Sequence, residues 1–263
     1  MAQSNFEEKS EIEELHIEPT DVMTGDRNKS RYLLYQLKFS MARAKQIDII
    51  VSFLMESGVR MLLSDLKAAL HRGAQIRILT GNYLGITQPS ALFLLKKELG
   101  DRVELRFYND KERSFHPKSY IFHHENLSEI YIGSSNISRS ALTSGIEWNY
   151  RFNSSHDSQN FKLFYETFED LFKNHSYVID DAELKTYSKN WHKPAVAKDL
   201  ARYDRTDPDT KVEVLFQPRG AQIEALCALE NSRAEGASRG LVHAATGVGK
   251  TYLAAFDSAK YER

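Results

Sequence analysis

Apolar and polar positions in the first half of the chain repeat a helix-then-strand pattern three times. Leu33, Leu34, Leu37 and Met41 recur at helical spacing, and the run 47–54 that follows is typical of a buried strand. Two more amphipathic segments end at glycine and precede strand-like apolar runs. The predicted helices cover 28–46, 58–71 and 90–99, and the predicted strands cover 47–54, Gln75–Thr80 and Val103–Tyr108. This alternation predicts an α/β domain with a parallel or mixed sheet.

Chemically versatile side chains gather in the stretch 114–149, where short strands are predicted at Lys118–His123 and 130–132. The histidine and lysine of a His-Pro-Lys sequence stand two positions apart, so on a strand their side chains project from one face. A tight Gly-Ser-Ser-Asn turn follows, and then a glutamate just before a further strand. Together these side chains form a set that is suited to binding and attacking an anionic phosphate group. The candidate catalytic residues are His116, Lys118, Ser134, Asn136 and Glu147.

A second phosphate-binding pattern lies near residue 250. The run 241–244 is predicted as a strand that enters Ala-Ala-Thr-Gly-Val-Gly-Lys-Thr, a P-loop with alanine in place of its first glycine, and a helix-compatible segment follows. Backbone N–H groups and the lysine of such a loop hold phosphates, and its threonine binds Mg²⁺. The candidate nucleotide-binding residues in the loop are Gly247, Gly249, Lys250 and Thr251.

The composition says more about the cellular compartment of the protein than about its function. The 263 residues carry a net charge of −1 and one cysteine, Cys227, which excludes a disulfide framework or a cysteine zinc site within one chain. No apolar run is long enough for a membrane span, and a reducing, cytoplasmic setting is expected. An acidic leader is predicted at 1–26, and a linker with a helix near 181–189 is predicted at 179–212. An aromatic stripe predicts a core or dimer contact at Phe161, Phe164, Tyr165, Phe168, Leu171 and Phe172.

The order His-x-Lys, Gly-Ser-x-Asn and Glu before Trp-Asn resembles the phospholipase D superfamily. More closely, the stretch 27–178 resembles the phospholipase D-like nuclease domains that are fused to bacterial superfamily 2 helicases and restriction-type enzymes. The resemblance implies a mixed sheet flanked by helices. It also implies phosphodiester cleavage through a phosphohistidine intermediate without a metal.

The resemblance assigns a role to each candidate residue. His116 matches the nucleophile, and Glu147 matches the acid of the nuclease branch. The residues that match the phosphate-holding positions are Lys118, Ser134 and Asn136. The family's aspartate, five residues after the lysine, is His123 in this chain. In its absence, Glu147 is a candidate to orient His116.

A single His-x-Lys motif predicts that two copies of the chain work together. The chemistry needs one histidine to attack phosphorus and another to protonate the leaving oxygen. Single-motif members of the resembled family bring two identical sites together across a two-fold axis. We therefore expect a homodimer whose interface lies beside His116.

The segment 213–263 resembles the N-terminal start of a superfamily 2 helicase motor, a RecA-like P-loop domain. By this resemblance Gln222 reads the edge of adenine and Phe216 stacks on the base. No second acidic strand and no second motor lobe follow the loop, so we expect the front of a larger helicase that does not hydrolyse ATP alone. ATP and Mg²⁺ are expected as cofactors of the full-length helicase, and none is expected for the nuclease.

Three functions remain open. The first is a metal-independent DNA nuclease within a helicase-nuclease of restriction or defence type. The alternative is a catalytically degenerate module that dimerises and binds DNA for the motor. A phospholipid-cleaving enzyme shares the motif, but the chain shows no membrane-seeking amphipathic helix and carries a helicase-like P-loop.

Overall fold

The computed structural model describes residues 18–26, 28–110, 112–192, 194, 217–245 and 247–259. A single sheet of eight strands forms its centre, in the order β1-β7-β6-β5-β2-β3-β4-β8. The strands are β1 (Val22–Met23), β2 (Gln46–Val51), β3 (Gln75–Thr80), β4 (Val103–Tyr108), β5 (Lys118–His123), β6 (Ser128–Gly133), β7 (Asn149–Asn153) and β8 (Ser176–Val178). Strands β2, β3 and β4 are parallel to one another, and every other pairing is antiparallel.

Helices cover both faces of this sheet. They are α1 (Leu33–Met41), α2 (Glu56–His71), α3 (Pro89–Leu99), α4 (Arg139–Thr143), α5 (Ser158–Asn174), α6 (Asp181–Asn190), α7 (Ala221–Ala234) and α8 (Lys250–Ser258). Alternate residues of the central strands enter different clusters: Ile49 packs with α1, α2 and α3, whereas Ile50 packs with α5. The aromatic stripe of α5 buries Phe168 and Phe172 against the second face, which confirms the predicted core contact.

The α/β fold predicted from the sequence is confirmed, with small shifts at the ends of elements. The first helix begins at Leu33, after a 3₁₀ turn at Lys29–Arg31. Strand β2 ends at Val51, earlier than predicted, because the chain leaves the sheet there to enter α2. Strands β3, β4 and β5 have the predicted bounds.

Three segments outside the predicted nuclease domain also pack on the sheet and its helices. The end of the predicted leader forms β1, and Met23 is buried there beside β7. The start of the predicted linker forms α6, whose Leu184 joins the larger core cluster. Ile223 of α7 joins the same cluster, so the second predicted domain contacts the first through a shared core. Among the described residues, no helix is both long and apolar enough to cross a membrane.

The strand predicted at 241–244 does not form, and this prediction is wrong. Residues 241–245 lie outside any strand, and Leu241 is 96% exposed. A buried strand needs neighbouring strands to pair with and a core to cover its faces. In the described part of the chain, the elements next to this segment are the helices α7 and α8.

Candidate active site

The candidate catalytic residues meet along the edge of the sheet that is formed by strand ends, because the neighbouring strands β5, β6 and β7 run in alternating directions. Lys118 begins β5, Gly133 ends β6 and Asn149 begins β7, and these strands are mutually antiparallel. Lys118 also pairs with Val51, so the carboxyl end of β2 reaches the same edge. Residues far apart in sequence therefore converge where the central parallel strands end, as in other open α/β sheets.

His116 and Lys118 are in direct contact, as their spacing predicted. Lys118 Nζ lies 2.7 Å from His116 Nδ1, 3.2 Å from Nε2 and 3.0 Å from the His116 carbonyl oxygen. Partial desolvation and the neighbouring ammonium charge both lower the pKa of His116. The neutral imidazole, which carries a lone pair for attack, is therefore favoured over the imidazolium. The Ser52 hydroxyl donates to the Pro117 carbonyl oxygen at 3.1 Å and ties this segment to the end of β2.

Ser134 and Glu147 form the next pair along the edge. The Ser134 hydroxyl donates to the Glu147 carboxylate, and the Trp148 backbone N–H donates to Ser134 Oγ at 3.1 Å. Burial lowers the pKa of Lys118, and the charge of Glu147 partly offsets that effect. Glu147 therefore acts on Ser134 and Lys118, and its role in orienting His116 stays a prediction.

Asn136 and its neighbour Ser135 are buried behind these exposed groups. Asn136 Oδ1 accepts a hydrogen bond from Phe53 N–H at 3.2 Å, which fixes the amide at the end of β2. Ser135 is held on both sides: Asn149 Nδ2 donates to its hydroxyl at 2.9 Å, and the Tyr120 hydroxyl donates to its carbonyl oxygen at 3.0 Å. Two residues of the Gly-Ser-Ser-Asn turn are thus fixed in the core by hydrogen bonds, behind the exposed Ser134.

Gly133 allows the turn to lie this close to β7. A Cβ atom at this position would overlap the Trp148 carbonyl oxygen and the Asn149 side chain. The backbone approach that places Ser134 beside Glu147 therefore requires glycine.

Tyr83 also belongs to the site, although it is not part of the sequence motif. Its ring meets the His116 ring edge-on, with the centroids 4.5 Å apart. Tyr83 lies in the loop that follows β3, and β3 ends at the same edge as β2. The rule that functional groups collect after the carboxyl ends of parallel strands was the signal that could have found it.

His123 and His124 lie at the other end of β5, about 17 Å along the strand from Lys118. His123 contacts Asp48 Oδ2 at 3.1 Å and Ser128 Oγ at 3.0 Å. His124 contacts Glu129 Oε1 at 2.8 Å. Both histidines stabilise the far end of the sheet. The position that the family's aspartate would occupy, His123, therefore lies at the far end of β5 and outside the candidate site.

The glycines of the second phosphate-binding pattern have backbone angles that suit a turn. Gly247 and Gly249 have positive φ angles of 88° and 80°, and Gln222 Nε2 donates to the Val248 carbonyl oxygen at 2.9 Å. The structure thus brings Gln222 to the predicted loop. Thr251 lies in the first turn of α8, which starts without a side-chain cap, so backbone N–H groups there suit a phosphate. Lys250 Nζ instead lies 3.3 Å from the carbonyl oxygens of Ala244 and Ala245.

The segment before Gln222 docks on the start of α2. Gly220 N–H donates to Glu56 Oε2 at 2.9 Å, and Arg60 donates to Gln217 Oε1 at 2.9 Å and to the Pro218 carbonyl oxygen. The predicted stacking residue Phe216 lies outside the described residues. Within the described ranges, no three His, Cys, Asp or Glu side chains come together as they would around a metal ion.

Comparison with protein families gives two matches. The model of the cardiolipin synthase, phospholipase D-like domain family matches residues 37–176, which include all five candidate catalytic residues. The model of the res subunit of type III restriction enzymes matches residues 215–263. No protein with a curated description matches the chain.

Several solved structures are similar to the chain at low sequence identity. A phospholipase D family member, Nuc from Salmonella typhimurium, is 21% identical with a TM-score of 0.48, over 62% of this chain and 100% of that one. NucT from Helicobacter pylori is 14% identical with a TM-score of 0.47, over 60% and 97%. Phosphatidylserine synthase from Haemophilus influenzae is 15% identical with a TM-score of 0.43, over 68% and 43%. Because the family model spans more than half of the sequence, the chain belongs to the phospholipase D-like domain family.

Proposed function

We propose that this chain is a metal-independent DNA phosphodiesterase that acts through a phosphohistidine intermediate, within a helicase-nuclease of restriction or defence type. The observation that carries the proposal is the contact between Lys118 Nζ and the His116 ring, 2.7 Å from Nδ1, beside Ser134 and Glu147. A nucleophile with a lowered pKa and a cation next to it are what attack on a phosphodiester needs.

The reaction proceeds in two displacements at phosphorus. A lone pair of the neutral His116 ring forms the N–P bond, the P–O bond to the leaving strand breaks, and the leaving oxygen takes up a proton. Water then gives a proton to the group that protonated the leaving oxygen and attacks phosphorus, the P–N bond breaks and the imidazole of His116 is regenerated. Lys118, Ser134 and Asn136 hold the non-bridging oxygens, whose charge grows in each transition state.

The proton for the leaving oxygen calls for a second acid, and we propose that His116 of a second copy supplies it from its protonated, imidazolium form, while the attacking His116 is neutral. Within one copy, His123 and His124 are bound to Asp48 and Glu129 at the far end of β5. A homodimer with facing sites places one histidine on each side of phosphorus. Sedimentation at micromolar concentration is expected to show a dimer, and a monomer that cleaves DNA would contradict this part of the proposal.

For the region after residue 213, we propose that it begins a superfamily 2 helicase motor that uses ATP and Mg²⁺ in the full-length protein. Gly247, Gly249, Lys250 and Thr251 would hold the phosphates and the metal, and Gln222 would read the base. The similarity of residues 215–263 to a restriction-enzyme subunit supports this assignment. A bound nucleotide would supply the energy for movement along DNA, and in this proposal the cleavage site uses neither the nucleotide nor Mg²⁺.

The test is cleavage in EDTA of DNA and of the small diester bis(p-nitrophenyl) phosphate. The wild-type protein and the exposed-histidine control His71→Ala are expected to cleave both, and His116→Ala is expected to cleave neither. Cleavage that EDTA abolishes would contradict the metal-independent route. No cleavage of either substrate by the wild-type protein, together with intact DNA binding, would favour the DNA-binding module instead.

A further inference from the structure

A row of exposed and half-buried aromatic side chains begins one residue before β7 and follows that strand away from the candidate site. Trp148, Tyr150 and Phe152 occupy alternate positions, so their side chains share the face of the sheet that α5 covers. Trp148 is 74% exposed and Tyr150 is 55% exposed. The rings of Tyr150 and Phe152 are nearly parallel, at 25°, with centroids 6.2 Å apart. Phe164 of α5 continues the row 6.1 Å from Phe152.

The row begins at the candidate site itself. The backbone of Trp148 exchanges two hydrogen bonds with Ser134, from Trp148 N–H to Ser134 Oγ and from Ser134 N–H to the Trp148 carbonyl oxygen, both at 3.1 Å. From Trp148 to Phe152 the strand covers about 14 Å. A chain whose phosphate is held at Ser134 can therefore lay its neighbouring units along these rings.

The row ends at a cavity of about 340 Å³. Tyr150, Phe152 and Phe164 supply its aromatic wall, and Asn153, His156 and Asn160 add groups able to form hydrogen bonds. The cavity is large enough for a small flat ligand.

The charged side chains beside the cavity disfavour the binding of a phosphate group. Arg151 is the cation of the lining, and its guanidinium is paired with Asp21 at 2.7 Å. Asp157 adds a carboxylate, which accepts hydrogen bonds from Asn160. A neutral, flat ring with polar edges fits this lining better than an anion does.

We propose that the aromatic row and its cavity bind unpaired bases of the DNA strand whose phosphate lies at His116, so that the substrate is single-stranded or locally unpaired. This inference rests on the proposed function and narrows its substrate. Every base offers a face for stacking, which makes such contacts tolerant of sequence, and in a duplex these faces are hidden between neighbouring pairs.

The experiment compares Tyr150→Ala with Tyr150→Phe and with Tyr177→Ala, an exposed tyrosine on the opposite edge strand β8. Fluorescence anisotropy with a short labelled oligothymidine measures affinity for a single strand, and a labelled hairpin duplex measures affinity for paired DNA. Loss of one stacking contact is expected to weaken single-strand binding about tenfold in Tyr150→Ala. Tyr150→Phe, which keeps the ring, and Tyr177→Ala are expected to bind like the wild-type protein.

Three results would overturn the inference. They are an unchanged single-strand affinity in Tyr150→Ala, an equal loss for the hairpin duplex, and a change from dimer to monomer in sedimentation, which would make the row a contact between subunits. Turnover of bis(p-nitrophenyl) phosphate, which is too small to reach the row, separates this inference from the proposed function. If the wild-type protein lacks that turnover but binds single strands through Tyr150, the cleavage proposal fails and the base-binding row stands.

Discussion

Two lysines in this molecule stand in motifs suited to phosphate, and they differ in what holds them. Lys118 begins a central strand, and its ammonium group lies against the His116 ring with Glu147 close by. Lys250 begins a helix beside a segment that forms no strand, and its ammonium group turns back to carbonyl oxygens of its own loop.

The difference shows that a phosphate motif needs a scaffold as well as its residues. At the first motif, neighbouring strands fix the backbone on both sides of the turn, and a buried network holds Ser135 and Asn136. At the second motif, the described neighbours are helices, and Gln222 provides a contact to the loop. Pre-organised donors stabilise developing charge without rearrangement, so cleavage is expected to depend on the first lysine alone.

The largest expected effect is a difference in cleavage rate between the alanine variants of the two lysines. Lys118→Ala removes a cation from the candidate site and is expected to slow cleavage of bis(p-nitrophenyl) phosphate about 10²- to 10³-fold. Lys250→Ala lies in the other motif and is expected to leave this rate unchanged. Steady-state kinetics measures the cleavage rate of both variants. An equal loss of rate in the two would show that the two motifs do not act independently.

A smaller effect should appear in the stability of the two regions. Gly133→Ala places a methyl group against the Trp148 carbonyl oxygen between two strands and is expected to destabilise the fold by about 1–3 kcal/mol. The matched change Gly240→Ala, near the second motif, meets only the flexible Leu229 side chain, 3.2 Å away. It is therefore expected to change stability by less than about 0.5 kcal/mol. Urea unfolding measures both, and equal losses would contradict the contrast between the regions.

The smallest expected effect is a shift in pH dependence. Because desolvation and Lys118 lower the pKa of His116, the neutral nucleophile persists below the pH at which an ordinary imidazole gains its proton. The acid limb of kcat/KM is thus expected below about pH 6.5. Lys118→Met removes one of the two causes, so its weaker activity should show an acid limb at higher pH. A limb that stays in place would show that His116 is not the titrating group.

The sequence predicted the sheet-building elements well because their signals are local. Apolar runs with β-branched residues gave β3 and β4 with their observed bounds, and the spacing of His116 and Lys118 correctly placed the two side chains together. The Gly-Ser-Ser-Asn turn was also found, since glycine and small polar residues mark such turns.

Contacts between distant segments could not be predicted in the same way. Tyr83 reaches His116 because β3 and β5 both flank β2, and this strand order is needed in addition to the position of Tyr83 after a predicted strand. The bond between Asn136 and Phe53 N–H joins positions 83 apart in sequence. The strand expected at 241–244 fails for the same reason, because an apolar run becomes a strand only where partners exist.

The contacts of the turn between β2 and α2 limit which segments of this protein could be transferred to another protein by recombination. At its start, Phe53 N–H bonds Asn136, and at its end Glu56 bonds Gly220 N–H in the segment that leads into α7. Ile223 of α7 is buried in the same core as the sheet. A recombination event that moved residues 37–176 alone would leave Glu56 without this partner and expose apolar surface. The unit that shares one core is therefore the sheet together with α6 and α7, which is larger than the stretch that carries the catalytic motif.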